Sequence, residues 1–239
     1  RRSSDLCSNK EELDLLIHAA KENNVVFMEA MKNVHSPGFQ AMKDHLHKLG
    51  TIRRATIQYC QYSSRYDKFK NGIVENAFNP KLSNGALMDI GSYAVHFLAA
   101  LFGRPKKILS DSIFLENGVD GAGSILASYG DKQAEVIYSK ITNSKLPTQI
   151  QGEDGCMVIE ECPILKKITI YGRDGSMEEL SFDFRDNPMI YETKDFIRLI
   201  KEGNIDHEFL PWSEMEMEIL DEVRRQNHIV FPADKIREQ

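Results

Sequence analysis

Three polar side chains occur at helical spacing within a largely apolar stretch, residues 86–98. Asp89 and Tyr93 are four residues apart, and His96 follows three residues later. Side chains three or four positions apart lie on the same face of an α-helix, so this spacing predicts a carboxylate, a phenol and an imidazole on one stripe. Two interpretations remain open. Each group satisfies a backbone group in the core, or all three face a cleft and transfer protons.

The run from Gly85 to Tyr93, Gly-Ala-Leu-Met-Asp-Ile-Gly-Ser-Tyr, resembles the substrate-side motif of the glucose–fructose oxidoreductase/inositol dehydrogenase/MocA (Gfo/Idh/MocA) family. The closer match is to the branch that holds dimeric dihydrodiol dehydrogenase. That family uses Asp-x-Gly-x-His or Asp-x-Gly-x-Tyr at this place. The resemblance implies that Tyr93 is the general acid/base on a substrate hydroxyl or carbonyl and that Asp89 helps to place the substrate. His96 is a further candidate for substrate binding or proton relay.

Members of this family carry an N-terminal Rossmann domain for NAD or NADP ahead of a mostly antiparallel C-terminal sheet. The resemblance therefore assigns residues 1–35, with one helix and the apolar strand 25–30, to the remnant of a dinucleotide-binding domain. It assigns residues 36–239 to the substrate and dimerisation domain. The family's Gly-x-Gly-x-x-Gly turn and Glu-Lys-Pro loop are missing from the sequence. We therefore expect this chain to lack most of the Rossmann domain and to bind cofactor poorly by itself.

The resemblance also implies which residues border the cofactor. Glu29 and Ala30 end the predicted strand, where the family's chain passes beside the nicotinamide, although a salt bridge or a helix cap explains Glu29 equally well. Asn79 belongs to a Phe-Asn-Pro that lies near cofactor and substrate in the family. Gly121-Ala122-Gly123 is the only Gly-x-Gly in the chain, and it precedes a predicted strand instead of a helix. It therefore predicts a hairpin turn and not a pyrophosphate site.

The segment 63–84 is polar and aromatic and shows no periodicity, so it predicts a long functional loop. Arg65 is its candidate for substrate binding. A free tyrosine has a pKa near ~10 and is a poor base at neutral pH unless a cation stabilises the phenolate. The family's lysine for this purpose is absent, so Lys32 or Lys70 is expected to approach Tyr93, or His96 to relay the proton.

Short segments separated by turn residues predict an α+β fold, with an α/β remnant at the N-terminus. The strands form a large, mostly antiparallel open sheet that helices cover on one face. The other face is expected to pack on a second subunit, which is how the resembling family forms dimers. The predicted strands are 51–62, 107–115, 124–129, 134–142, 147–152, 156–160, 166–171 and 176–182. The predicted covering helices are 39–49, 86–101, 191–201 and 213–228.

Charge and composition narrow the class of partner. The net charge of −6 argues against nucleic acid, because phosphate binding needs a basic face. No apolar run approaches a membrane span. The first residues turn charged at once, so no signal peptide is expected. We predict no metal site, and a cytoplasmic location follows from four cysteines without zinc-ligand spacing: Cys7, Cys60, Cys156 and Cys162.

Three functions remain open. The first is an NAD(P)-dependent oxidoreductase that acts on the CH–OH group of a sugar, polyol or dihydrodiol. The second is a truncated relative without cofactor that serves as a binding or dimerisation module. The third, a hydrolase or lyase using Asp89, Tyr93 and His96, has the least support, because the sequence offers neither an activated nucleophile nor a cluster of metal ligands.

Overall fold

A computed structural model describes residues 7–160, 162 and 164–235, so the start of the chain, where no signal peptide was expected, lies outside the described residues. An eight-stranded sheet has the order β2-β3-β4-β1-β5-β6-β7-β8. Every neighbouring pair is antiparallel except β1–β4. The predicted α+β class and mostly antiparallel open sheet are confirmed. The strands are β1 Ile52–Cys60, β2 Lys107–Phe114, β3 Asp120–Ser128, β4 Gln133–Ser139, β5 Thr148–Gly152, β6 Gly155–Ile159, β7 Ile168–Gly172 and β8 Met177–Glu179.

The helices begin and end close to the predicted positions in most cases. Their bounds are α1 Lys10–Glu22, α2 Pro37–His45, α3 Ser64–Lys70, α4 Ser92–Phe102, α5 Met189–Glu202, α6 Leu210–Gln226 and α7 Pro232–Lys235. A π-helical turn, Leu87–Gly91, leads directly into α4. Helices α4 and α6 cover one face of the sheet. Their inner residues join the side chains of β1 and β4 in one buried cluster, which includes Phe97, Leu220, Ile57 and Val136.

Helix 191–201 carries an apolar stripe at Phe196, Ile197, Leu199 and Ile200, but most of this stripe is not buried as a covering helix requires. Only Leu199 of that stripe is buried, whereas Phe196, Ile197 and Ile200 are 37%, 46% and 53% exposed. Polar contacts attach the helix instead. Asp195 Oδ2 lies 2.7 Å from His35 Nδ1, and Arg198 pairs with Glu208. The periodic pattern identified a helix correctly but could not show that its apolar face lies away from the sheet.

Residues 25–30 do not form the predicted parallel strand. They are extended but pair with none of the eight strands, and Val25 is 53% exposed. A parallel strand requires neighbours on which to hydrogen-bond, and the described strands pair among themselves. The short apolar run therefore indicated extended backbone but not a sheet position.

The prediction of a hairpin turn at Gly121-Ala122-Gly123 is also wrong, because these residues lie inside β3. The β2–β3 turn comes earlier, where Leu115 N–H donates to the carbonyl of Val119. Gly123 makes room for a neighbour: a Cβ there would lie 2.2 Å from the phenol oxygen of Tyr138. The glycine thus serves packing between β3 and β4.

The segment 63–84 is more regular than expected. It contains α3 and two short 3-10 turns, Asn76–Phe78 and Pro80–Leu82. A helix of seven residues is too short to show periodicity in the sequence. Phe69 and Phe78 bury a small second core with Val119, which fixes this segment to the β2–β3 turn. Among the described residues, no helix combines the length and apolarity needed to cross a bilayer.

Candidate active site

Asp120 begins the site, because it caps the helical segment that carries Asp89 and Tyr93. Its Oδ2 accepts a hydrogen bond from Leu87 N–H at 2.6 Å. Asp120 is 1% exposed, and burial raises its pKa to about 6. Gly85 permits this approach, since a Cβ at that position would lie 1.9 Å from Asp120 Oδ1. The first turn is therefore anchored to the start of β3.

The π-helical turn alters the predicted stripe. A π-helical turn holds more residues than an α-helical turn, because its hydrogen bonds join residues five apart, so side chains at α-helical spacing across it no longer share one direction. Asp89 and Tyr93 are both partly exposed, whereas His96 is 2% exposed and faces the core. The expectation that all three face one cleft is wrong, because His96 is buried and the cavity that Asp89 lines is not the one beside Tyr93. Such π-turns are frequent at functional sites.

Asp89 borders a cavity of about 520 Å³. Arg65, Asn76 and Asn84 line the same cavity. On its inner side, the carboxylate of Asp89 pairs with the ammonium group of Lys140, whose side chain is 3% exposed. The buried ammonium group thus holds the Asp89 carboxylate, a hydrogen-bond acceptor, at the wall of the cavity. The predicted substrate residue Arg65 thus shares this cavity with Asp89, and it pairs with Glu75 at 3.6 Å between Nε and Oε2.

Tyr93 lies near a second and larger cavity, of about 870 Å³. Tyr59 and Lys32 line this cavity, and both contact the Tyr93 ring. The Lys32 ammonium is 5.5 Å from the ring centroid. A nearby positive charge favours the ionised form of a phenol. Of the two lysines considered, Lys32 is the one that lies beside the Tyr93 ring, and its part in the chemistry stays a prediction.

The other lysine considered, Lys70, is engaged elsewhere. Its ammonium group contacts Asp67 at 2.9 Å and the hydroxyl of Tyr62 at 2.8 Å. Tyr93 is also held through its backbone, because Asn33 Nδ2 donates to the Tyr93 carbonyl at 3.0 Å. The segment that carries Lys32 is thus bonded to α4 next to the phenol.

His96 belongs to a buried cluster with Glu29 and Glu216. His96 Nδ1 lies 2.7 Å from Glu216 Oε2 and 3.7 Å from Glu29 Oε2. Burial lowers the pKa of His96 to about 4 and raises the pKa of Glu216 to about 8. Burial and then Glu216 raise the pKa of Glu29 well above its usual value. At neutral pH these pKa values leave His96 uncharged and Glu216 protonated, so the Glu216 carboxyl can share its proton with His96 Nδ1.

The cluster also has the composition of a metal site, since each of its three members offers one ligand atom within 4.8 Å of the others. Sequence spacing missed it because Glu216 is 120 residues from His96. A shared proton accounts for the contact between Glu216 and His96 without an ion, so the prediction of no metal site stays a prediction.

Comparison with known proteins identifies the family. Residues 39–158 match the GFO/IDH/MocA C-terminal domain. The chain belongs to the Gfo/Idh/MocA family. The predicted membership is confirmed.

Relatives of known name support the same grouping. The scyllo-inositol 2-dehydrogenase (NADP(+)) IolU of Bacillus subtilis is 45% identical, covering 95% of this chain and 70% of IolU. The mouse trans-1,2-dihydrobenzene-1,2-diol dehydrogenase is 25% identical, covering 95% of this chain and 69% of that enzyme. The 3-ketoreductase KijD10 of Actinomadura kijaniata, solved with NADP and TDP-benzene, shares the fold, with a TM-score of 0.81 and 16% identity over 93% of this chain and 69% of KijD10.

The residues that the Gfo/Idh/MocA resemblance assigns to the cofactor are dispersed. Glu29 is buried and its carboxylate faces His96, so the geometry favours the structural alternative for this side chain. Ala30 is exposed. Asn79 caps the short turn Pro80–Leu82 by accepting from Lys81 N–H at 3.0 Å. Cofactor binding by these three residues stays a prediction.

The described part of the chain does not offer the phosphate cradle that a dinucleotide requires in this family. Its Gly-x-Gly lies within β3, where Tyr138 and Ile141 fill the space beside Gly123 and Gly121. Donors at a helix N-terminus are the usual pyrophosphate site. This Gly-x-Gly therefore does not present backbone donors to a pyrophosphate.

Sequence reasoning missed three residues that shape the site: Asp120, Lys140 and Glu216. Asp120 looked like a turn residue, and Lys140 looked like the end of an alternating strand. Glu216 follows Ser213 at the three-residue spacing of a capping box, but α6 begins earlier, at Leu210, and Glu216 is fully buried. The available signal was a glutamate at helical spacing within the apolar stripe of α6.

Proposed function

We propose that the protein is an NADP-dependent dehydrogenase/reductase acting on a ring CH–OH group of a cyclic polyol of the inositol type. The observation that carries the proposal is the 45% identity to an NADP-dependent scyllo-inositol dehydrogenase, which extends over 95% of the chain. NAD remains the alternative cofactor, and sugars and dihydrodiols remain the alternative substrates.

We propose Tyr93 as the general acid/base and Asp89 as a substrate ligand. Tyr93 takes the hydroxyl proton as the carbonyl forms and returns it in the reverse direction. Lys32 supports this exchange, because its charge stabilises the phenolate. Asp89 accepts hydrogen bonds from neighbouring hydroxyls, and Arg65 closes the same cavity. The buried position of His96 supports a structural role more than direct substrate binding.

The domain organisation is part of the proposal. Residues 1–35 are the end of a dinucleotide-binding domain, and 36–239 form the substrate and dimerisation domain. Ala30, Asn79 and the backbone at Glu29 border the nicotinamide. The exposed position of Ala30 supports this arrangement, as does the proximity of the following Lys32 to Tyr93.

We further propose a cytoplasmic homodimer formed through the outer face of the sheet. All four cysteines are free, which suits a reducing compartment. The outer face exposes large apolar side chains at both edges, with Ile113 at 59% and Met177 at 70% exposed. An apolar face of this kind is typical of a surface that another subunit covers.

The direct test uses the protein expressed from its complete coding sequence. NADP⁺ and NAD⁺ reduction is followed with scyllo-inositol, myo-inositol, glucose and a dihydrodiol. We expect turnover with a polyol, and a loss of about a hundredfold or more in kcat for Tyr93→Phe, the usual contribution of a proton-transfer group. Tyr171→Phe, at an exposed tyrosine on β7, is the control. Undiminished turnover in Tyr93→Phe would exclude the catalytic assignment.

A second candidate, a cofactor-free binding or dimerisation module, is favoured by one observation: the described residues form no phosphate cradle. Titrating residues 1–239 with NADPH, read by nicotinamide fluorescence, separates the two. Saturable binding would support a complete enzyme in this chain. Its absence, together with turnover by the product of the complete coding sequence, would support the division into a cofactor domain and a substrate domain.

A further inference from the structure

Lys140 is a buried cation beside a cavity that the proposed chemistry uses. Its side chain is 3% exposed and pairs with Asp89. The aromatic face of Phe78 lies 5.2 Å from the ammonium group, which adds a cation–π contact on another side. The ammonium group therefore meets a carboxylate on one side and an aromatic ring on another.

The backbone on either side of Lys140 is fixed. Lys140 N–H donates to the Gly121 carbonyl at 2.9 Å, and the Lys140 carbonyl accepts from Ser63 N–H at 2.8 Å. These bonds tie the residue to β3 and to the start of α3. Since Phe78 is itself fully buried, the ammonium group has little freedom to move away from Asp89.

Stability alone does not account for this pair. Removing an ammonium group from water costs several kcal/mol, and apolar residues of similar volume often replace buried ion pairs without loss of stability. Asp89 keeps an open side, because 29% of its side chain is exposed and it lines the cavity shared with Arg65 and Asn84. One side of the carboxylate thus meets the cation and the other meets the cavity.

We infer that Lys140 is a positioning residue, whose ammonium group fixes the Asp89 carboxylate at the cavity wall so that it can accept hydrogen bonds from substrate hydroxyls. The inference rests on the proposed function, because it assigns Asp89 the role of substrate ligand. A hydroxyl-rich ring is the substrate class that such a preorganised acceptor suits. Lys140 itself does not touch the substrate.

The test compares Lys140→Met and Lys140→Arg in the protein expressed from its complete coding sequence. The polyol that the wild type oxidises is the probe. We expect Lys140→Met to raise the KM for this polyol roughly ten- to a hundredfold, the usual effect of losing a hydrogen bond to a charged group. The KM for NADP⁺ stays unchanged, and Lys140→Arg recovers part of the loss. Lys48→Met, which removes an exposed pair with Glu178, is the control.

A double-mutant cycle with Asp89→Asn separates positioning from a general effect on folding. If Lys140 acts through Asp89, adding Lys140→Met to Asp89→Asn changes the KM by less than about threefold. If Lys140→Met alone does not fold, the double variant replaces it, because no unpaired carboxylate is then left buried. A normal polyol KM in folded Lys140→Met, or an undiminished effect in the Asp89→Asn background, would overturn the inference.

Binding distinguishes this inference from the proposed function. A wild-type protein whose unfolding temperature rises saturably with the polyol, but which does not oxidise it, is not the proposed dehydrogenase. The same variants are then compared by the polyol concentration that gives half of this rise in unfolding temperature. Lys140→Met must move this midpoint to a higher polyol concentration. A protein that neither binds nor oxidises any polyol of the panel overturns both.

Discussion

Asp120 Oδ2 lies 2.6 Å from the backbone nitrogen of Leu87 and accepts its hydrogen bond. The contact joins the start of β3 to the π-helical turn that carries Asp89. A strand residue therefore sets the position of the helix that holds the proposed chemistry.

We predict that Asp120→Ala destabilises the protein by about 1–3 kcal/mol, because it leaves a buried donor unsatisfied. Asp120→Asn retains an acceptor oxygen and is expected to cost less. Chemical denaturation measures both, with Glu116→Ala, at an exposed carboxylate in the β2–β3 turn, as the control. Equal stability of Asp120→Ala and wild type would show that the cap contributes nothing.

The contact between Gly123 and Tyr138 gives a second prediction. Gly123→Ala would bring a methyl group to 2.2 Å from the phenol oxygen, so β3 and β4 must separate or the ring must move. We expect a loss of about 1–3 kcal/mol, the usual cost of overpacking. Tyr138→Phe removes the oxygen, and its own cost is small because the phenol makes one hydrogen bond, with Ser112 Oγ at 3.1 Å.

The informative measurement is the combination. In the Tyr138→Phe background, Gly123→Ala is expected to cost less than in wild type but to remain destabilising, because Tyr138 Cζ, at 2.5 Å from the added methyl group, and the Asp111 carbonyl, at 2.9 Å, are still in place. Additive costs would mean that the phenol oxygen is not what excludes a side chain at Gly123. Thermal unfolding of wild type, the two single variants and the double variant measures the coupling between the two positions.

Much of the fold followed from local pattern, but the site did not. Alternating residues and turn chemistry identified all eight strands. Apolar and polar residues alternate within a strand, and turn residues separate one strand from the next, so both signals are local. Asp89 and Tyr93 could be proposed as site residues because they lie in one short motif. Lys140, Glu216 and Asp120 were missed, since their contacts join elements far apart in sequence and no local pattern reports such pairs.

The two corrections at the N-terminus and at α5 share a cause. The run 25–30 and the apolar side chains of α5 each have a clear pattern, yet neither packs into the sheet. Periodicity reports which residues share a face, but it does not report what that face meets. The π-turn is a further case, because a change in helical spacing between Asp89 and His96 leaves no mark in the sequence.

The buried cluster predicts a specific dependence of stability on pH. Burial raises the pKa of Glu216 from 4.5 to about 8, so the folded state holds its proton more tightly than the unfolded state does. The stability that this provides is complete below pH 4.5 and is lost as pH rises through 8. His96 acts oppositely: its pKa falls to about 4, so its contribution is present above 6.5 and is lost as pH falls through 4.

We predict that Glu216→Gln flattens the decline of stability between pH 5 and pH 8. Relative to wild type, the variant gains up to about 1.4 kcal/mol per pH unit across this range. Denaturation at several pH values measures the slope. Glu222→Gln, on the same helix, is the control, because Arg225 holds the Glu222 pKa at about 2 and the residue stays ionised throughout. Parallel slopes for wild type and Glu216→Gln would show that Glu216 does not hold a proton.

The outer face of the sheet gives the last prediction. Leu109 and Ile113 project from edge strand β2 on the side opposite α6, since Ser110, between them, bonds to Gln226 of that helix. Both are more than half exposed, at 51% and 59%. If a second subunit covers this face, Ile113→Glu places a charge within an apolar interface and should shift the protein to monomer, as measured by light scattering.

The matched control for this prediction is Ile200→Glu on α5. Ile200 is exposed to a similar degree, 53%, but it lies off the sheet, so its replacement should leave the oligomeric state unchanged. Dissociation by Ile113→Glu alone would assign the interface to the sheet. Dissociation by Ile200→Glu instead would assign it to α5, because only a residue within the contact can disrupt it with a single charge.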